Sequence, residues 1–230
     1  MNTPLFTPFE RPETLGSSVR AQIKDLLLSG QLEPGEQLSL RSMAAALGVS
    51  VMPVREAVNQ LVADQALEVA PNRAIRVPRM SRDQFTEITQ IRIEIEGYAV
   101  AQACERINNE DLTKLEELNL QLARAMESKE TSRDVVSLNK EFHFTAYAAS
   151  GMPMLVKFIE PLWLRIGPIL NYDLRQGSER IQNQTAVRHH AQIIAGFRAR
   201  DMQMAREGLR NDISSAYEHI LLKHYTCGQE

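Results

Sequence analysis

Cysteine is scarce in this 230-residue chain. Only Cys104 and Cys227 occur, without CxxC spacing. A disulfide framework is therefore excluded, and a reducing, cytoplasmic setting is expected. Long apolar runs are missing as well: none approaches the ~18 residues a membrane helix needs. The stretch from Met1 to Thr14 is polar, carries Pro4, Pro8 and Pro12, and lacks the basic start and apolar segment of a secretory signal. There is no excess of positive charge. Lys and Arg total 26 against 29 Asp and Glu, a net charge of −3. This excludes a histone-like polybasic binder but not a sequence-specific DNA reader, which needs only a local basic surface. Residues 1–80 hold eight basic and eight acidic side chains, so phosphate contacts must come from a few placed residues. Hydrophobic residues are 43% and charged residues 24%, enough for a sizeable core without staples.

Proline and glycine are unevenly spread. Seven of ten prolines lie in the first 78 residues, and Pro153, Pro161 and Pro168 share one later segment. Between Ser81 and Ser150 there is no proline, and glycine occurs only at Gly97, so long helices are expected there. The boundary falls near Pro78–Ser81. This gives an N-terminal flexible segment (1–14), a first domain (15–78), a second (79–225) and a C-terminal tail (226–230).

In the first domain Leu15, Val19, Ile23, Leu26 and Leu27 recur at helical spacing until Ser29-Gly30. A turn at Glu33-Pro34-Gly35-Glu36 precedes a short helix with Leu40, Met43, Ala44 and Leu47 inward, ended by Gly48. Ser50 can cap the next helix, and Pro53 is tolerable in its first turn. Val54, Val58 and Leu61 form its buried stripe. Leu67-Glu68-Val69 and Ala74-Ile75-Arg76-Val77 alternate around Pro71-Asn72-Arg73, the pattern of a two-stranded wing. The order is that of a winged helix-turn-helix, whose second helix enters the major groove. Val51, Met52, Arg55, Glu56, Asn59 and Gln60 face away from its buried stripe. Arg55 suits a phosphate or a guanine. Ser50 suits a phosphate at the helix N-terminus. Arg41 suits the backbone, and Asn72 and Arg73 suit the minor groove or its phosphates. The double-stranded DNA reading competes with a plain three-helix unit bearing scattered arginines.

These residues carry a resemblance. Gly30-Gln31-Leu32-Glu33-Pro34-Gly35-Glu36-Gln37-Leu38, Leu47-Gly48-Val49-Ser50 and Pro53-Val54-Arg55-Glu56-Ala57 with Leu61 follow the pattern G-x-L-x-P-G-x-x-L, then L-G-V-S-R-x-P-V-R-E-A-L. The chain thus resembles the GntR family of bacterial transcription regulators. The resemblance implies DNA contacts by Arg41, Ser50 and Arg55, with the wing at Asn72-Arg73. The family's usual arginine after the serine is Val51 here, followed by Met52. A phosphate or guanine contact is lost, and apolar contact to a thymine methyl becomes possible.

The second domain shows helical stripes at Phe85, Ile88, Ile91, Ile95 and Ala99, at Leu112 to Leu122, and at Val135 to Tyr147. A segment from Met154 to Leu170 is expected to be broken or kinked by its prolines. Two more helices cover about 179–199 and 202–224, with Asp201 as N-cap. An all-α bundle of about six or seven helices results, so the fold is mainly α. Asn139 and His143 share a helix face, while His190 and Asp212 lie beside apolar residues. Such histidines are core hydrogen-bonding groups or metal ligands. Arg92-Ile93-Glu94-Ile95-Glu96, Phe142-His143 and His190 with Ile193-Ile194 resemble the FCD ligand domain of the FadR-type GntR subfamily. That resemblance implies a divalent metal, a small effector such as an organic acid, and a homodimer on a palindromic operator, often as a repressor. The implied metal positions are Asn139, His143, His190 and Asp212, with asparagine and aspartate where the family has aspartate and histidine. Two imidazoles and a carboxylate suit Zn, Ni, Mn or Fe. Arg92, Arg165 and Tyr172 are candidate effector contacts, though Arg92 can equally pair with Glu96 at i+4. His189, His219 and His224 are expected at the surface. A regulator whose bundle only dimerises remains open. No hydrolase motif, phosphate loop or nucleophile motif supports an enzyme.

Overall fold

The computed structural model describes residues 15–128, 132–175 and 178–225. The expected terminal segments 1–14 and 226–230 lie outside the described residues, as does the side chain of Tyr172. The element order is α1 (Leu15–Leu28), β1 (Gln37–Leu38), α2 (Leu40–Leu47), α3 (Val51–Ala63), β2 (Glu68–Val69), β3 (Ile75–Arg76), α4 (Arg82–Arg106), α5 (Asn109–Glu127), α6 (Ser132–Ala148), α7 (Pro153–Arg175), α8 (Glu179–Gln182), α9 (Thr185–Ala199) and α10 (Met202–His224).

Local sequence explains most of these boundaries. Ser39 caps α2 by accepting from Ser42 N at 3.3 Å. Gly48, at φ 66°, ends α2 in the left-handed conformation that glycine adopts without strain. Ser81 and Gln84 form a reciprocal capping box at the start of α4. Asp201 caps α10 through Met204 N at 2.9 Å, as expected. Val19, Ile23 and Leu27 of α1 pack against Val54, Val58 and Leu61 of α3, all nearly free of solvent.

Three expectations need correction, the first being that the helix expected over about 179–199 is two, α8 and α9, parted at Asn183-Gln184. The wing has three strands, because Gln37–Leu38 pairs antiparallel with β3 in the order β1-β3-β2. A two-residue strand is too short to reveal alternation. It is held by flanking bonds, Gly35 N to Val77 O and Val77 N to Glu36 O, both 2.9 Å. Of the break or kink expected in the proline-bearing segment, the break is absent: α7 runs through Pro161 and Pro168. Each proline removes one helical hydrogen bond. Burial of Ile159, Trp163, Leu164 and Ile166 on several sides outweighs that loss.

Helix α7 joins the two cores. Leu164 is buried with the α1/α3 residues, whereas Ile159 and Trp163 belong to the core of the second domain. Leu28, at the end of α1, touches both cores. Asn171 of α7 donates through Nδ2 to the Leu28 carbonyl.

Helices α9 and α10 cross closely. A Cβ at Gly196 would lie 2.5 Å from Ala205 N, and one at Gly208 would lie 2.9 Å from Ile193 N. Only glycine permits this approach. It matters because His190 sits on α9 and Asp212 on α10.

Candidate metal centre and nucleic-acid interface

The candidate DNA contacts of the first domain stand on α2, at the start of α3 and in the turn between β2 and β3. Ser50 occupies the N-cap position of α3, yet its side chain makes no cap hydrogen bond, which leaves the hydroxyl available to a ligand. Met52, Arg55 and Asn59 are exposed and share a helix face at i, i+3 and i+7. Val51 is half-buried and packs on the α1/α3 core, so it stands less free than its helical position implies. Arg41 is exposed on the first turn of α2. At the wing tip, Asn72 Oδ1 accepts from Ala74 N at 3.1 Å, and Arg73 adopts φ 62°. That Asx turn projects two exposed polar side chains from the hairpin.

In the second domain, α6, α9 and α10 bring His143, His190 and Asp212 together. All three are buried. His143 Nε2 lies 3.1 Å from Asp212 Oδ2 and 3.3 Å from His190 Nε2. The three ligand atoms fall within 4.8 Å of one another. Tetrahedral ligands about 2.1 Å from a zinc ion stand roughly 3.4 Å apart, so this donor set fits one divalent ion. Asn139 lines the adjoining cavity with His143 and Asp212. Phe142 stacks on His190 with ring centroids 3.7 Å apart.

The electrostatics favour a cation. Burial pushes His190 from its ordinary 6.5 down to about 3, leaving a neutral ring with lone-pair capacity. Burial works against the charge of Asp212, yet the hydrogen bond with His143, the two histidines and Arg180 together hold it well below the usual carboxylate range. A charged carboxylate facing imidazole nitrogens leaves room for one positive charge, a ring proton or a metal ion.

Arg92 is 4% exposed and Glu96 fully buried, joined by Nε–Oε1 at 2.6 Å and Nη2–Oε2 at 3.2 Å. The guanidinium also lies over the Trp163 ring, 4.9 Å from its centroid. Of the two readings of Arg92, the intrahelical pair is therefore present, although Arg92 also borders the cavity. Tyr147 donates to Glu96 Oε2, and its hydroxyl is 3.1 Å from His143 Nδ1. Burial, then the charge of Glu96, hold the Tyr147 phenol well above its ordinary value. Arg165 is elsewhere. It lines a cleft with Leu67, Glu68, Val69 and Arg79, between α7 and the wing, and does not line the cavity beside His143.

Two family models match this chain. Bacterial regulatory proteins, gntR family, spans residues 15–77, and the FCD domain spans residues 87–215. The HTH-type transcriptional regulator McbR of Escherichia coli K12 is 36% identical over 215 residues, 92% of this chain and 95% of that protein. The chain belongs to the GntR family. It is a transcription regulator with an FCD domain, and its relatives are regulators rather than enzymes. The solved structure of E. coli McbR/YncC superposes with a TM-score of 0.85 at 34% identity, covering 94% of this chain and all of that one. The uncharacterized HTH-type regulator YdhC of Bacillus subtilis is 26% identical over 205 residues, 88% of each chain.

Arg180 is the GntR-chain residue that sequence reasoning missed. It lines the same cavity as His143, Asn139 and Asp212. Its Nη1 is buried without a hydrogen-bond partner and stands 3.6 Å from Asp173 Oδ2. Burial presses this guanidinium downward from its ordinary value, opposed by Asp212 and Asp173. It belongs to a four-residue helix, too short for periodicity to mark. Buried Asp173 also gathers Lys223 at 3.1 Å, His219 at 3.5 Å and His224 at 3.7 Å. These two histidines, like His189, are half-buried rather than surface residues. They follow the hydrophobic face of α10 closely enough to reach a carboxylate on α7. Among the described residues, no helix is long and apolar enough to cross a membrane.

Proposed function

We propose that the chain is a ligand-responsive repressor that binds a palindromic operator as a homodimer in the bacterial cytoplasm. Residues 15–78 contact DNA through Arg41, Ser50, Val51, Met52, Arg55, Asn72 and Arg73. One reading helix covers only a half-site, which is why two copies are required. Residues 79–225 hold a divalent ion, zinc, nickel, manganese or iron, on His143, His190 and Asp212, with Asn139 as a weak fourth donor. Such an ion supplies a Lewis-acidic position for an effector carboxylate. Arg180, incompletely paired and facing the same cavity, supplies the second charge for that anion.

The observation that carries the regulatory reading is Leu28. This residue of the DNA-binding domain forms part of the cavity wall beside His143 and Arg180. An effector that displaces Leu28 or Asn171 alters the α1–α7 contact, and with it the spacing of the two reading helices in a dimer. The second reading, a bundle that only dimerises, is favoured by the cavity's size. Its volume is about 30 Å³, room for roughly two or three waters. An effector must therefore open it.

The test is in-vitro selection of bound DNA from a random library, followed by titration of the selected site with carboxylates and Zn²⁺. Enrichment of an inverted repeat whose affinity changes with one carboxylate supports the proposal. Enrichment without any ligand response selects the dimerisation-only reading. No enriched sequence refutes both.

A further inference from the structure

We infer that Tyr147 is a positioning residue, which with Glu96 and Arg92 dictates the nitrogen that His143 offers to an ion. The inference rests on the metal reading above.

Arg92 has donors and no acceptor. Both oxygens of Glu96 accept from it, at 2.6 and 3.2 Å. A carboxylate held this way is itself an acceptor, so the bond between Tyr147 and Glu96 Oε2 must use the phenol's proton. A phenol has only one. The 3.1 Å contact between the Tyr147 hydroxyl and His143 Nδ1 must then be donated by Nδ1–H. A neutral imidazole carries one ring proton. With a proton held on Nδ1, Nε2 is the nitrogen left for an ion, and any proton it shares with Asp212 Oδ2 must leave when the ion binds. Nε2 is the atom that faces Asp212 Oδ2 and His190 Nε2.

The opposite arrangement fails. If Nε2 alone carried the proton, Nδ1 would have to accept from Tyr147. The phenol and Glu96 Oε2 would then face each other with no proton between them. Arg92, Glu96, Tyr147 and His143 are 4%, 0%, 0% and 1% exposed, so water cannot repair that contact. The chain of bonds runs from a donor-only guanidinium to a ring nitrogen and allows one order. His190 has no such chain: its Nδ1 is buried without a partner. The carboxylate-to-histidine partner that orients many metal ligands is here extended through a phenol.

The test uses the full chain with ¹⁵N-labelled histidine. Two-bond ¹H–¹⁵N correlation spectra of metal-free protein identify the protonated nitrogen of His143, assigned against His143→Gln. The expected result is a protonated Nδ1. On addition of Zn²⁺ alone, the Nε2 resonance shifts while Nδ1–H persists. Tyr147→Phe removes only the hydroxyl. It should mix the two tautomers and weaken Zn²⁺ binding by about 10- to 100-fold in competition with a chromophoric chelator. A bare Nδ1 in the wild type overturns the proposal. So does a Tyr147→Phe protein with unchanged tautomer and unchanged Zn²⁺ affinity. If the wild type binds no Zn²⁺, the metal reading fails while the metal-free spectrum still decides the tautomer.

Discussion

Replacing Arg92 by methionine keeps a long apolar stem but removes the charge from a site only 4% exposed. Glu96, fully buried, would keep its negative charge with Tyr147 as its one remaining donor among the bonds described. Breaking one side of a buried pair costs about 3–5 kcal/mol, since the survivor is left uncompensated in a medium that solvates it poorly. Loss of the guanidinium from the Trp163 face is included in that figure rather than added to it. The chain has a single tryptophan, so Trp163 fluorescence reports the FCD core in which it is buried. With a urea slope of about 2 kcal/mol per molar, the midpoint of Arg92→Met should fall by roughly 2 M. The double variant Arg92→Met, Glu96→Leu removes both charges and should recover to within about 1 kcal/mol of the wild type. An Arg92→Met protein within about 1 kcal/mol of wild type, or a double variant no more stable than the single, would refute the reasoning. In the first case, loss of effector response without loss of stability would return Arg92 to the role of a ligand contact.

Other outcomes follow from the same geometry. Arg55→Ala should weaken binding to the selected DNA by about 1–3 kcal/mol in fluorescence anisotropy if Arg55 contacts a base, and an unchanged affinity removes it from the interface. Gly196→Ala places a methyl 2.5 Å from Ala205 N and should destabilise the FCD domain by about 1–3 kcal/mol in urea. Because it also separates α9 from α10, Zn²⁺ affinity should fall; retained affinity would show that the crossing does not set the site. Stability of the metal-free protein should decline with acid. His190 titrates at 6.5 when unfolded and near 3 when folded, so its neutral form contributes stability above pH 6.5 that is lost as pH falls towards 3, at up to about 1.4 kcal/mol per pH unit. Asp212, depressed in the fold, adds a further loss below about pH 3.9. The slope between pH 6.5 and 4.5 should flatten in His190→Asn, and an identical slope in both proteins would remove His190 as its source.

Much of the architecture is legible without coordinates because helices are local. The apolar spacing of Val54, Val58 and Leu61, the Gly48 terminator and the Asp201 cap act within a few residues of themselves, whereas Ser50, also read as a cap, makes no side-chain cap bond. The same locality makes the Pro-Val-Arg-Glu-Ala segment recognisable as a reading helix. His143 and its neighbour Tyr147 are related by a helical turn, so their contact is also readable along the chain. Tertiary structure alone decided the rest. The convergence of residues 143, 190 and 212 depends on how three helices cross, and the α9–α10 crossing depends on Gly196 and Gly208. Arg165 and Arg180 look alike in sequence, yet helix direction sends one to the wing cleft and short α8 carries the other to the cavity. Strand β1 exists only because β3 lies beside it, since two residues cannot form a ladder without a partner. The wall that Leu28 gives to the cavity is a contact between domains, and no periodicity within either domain encodes it.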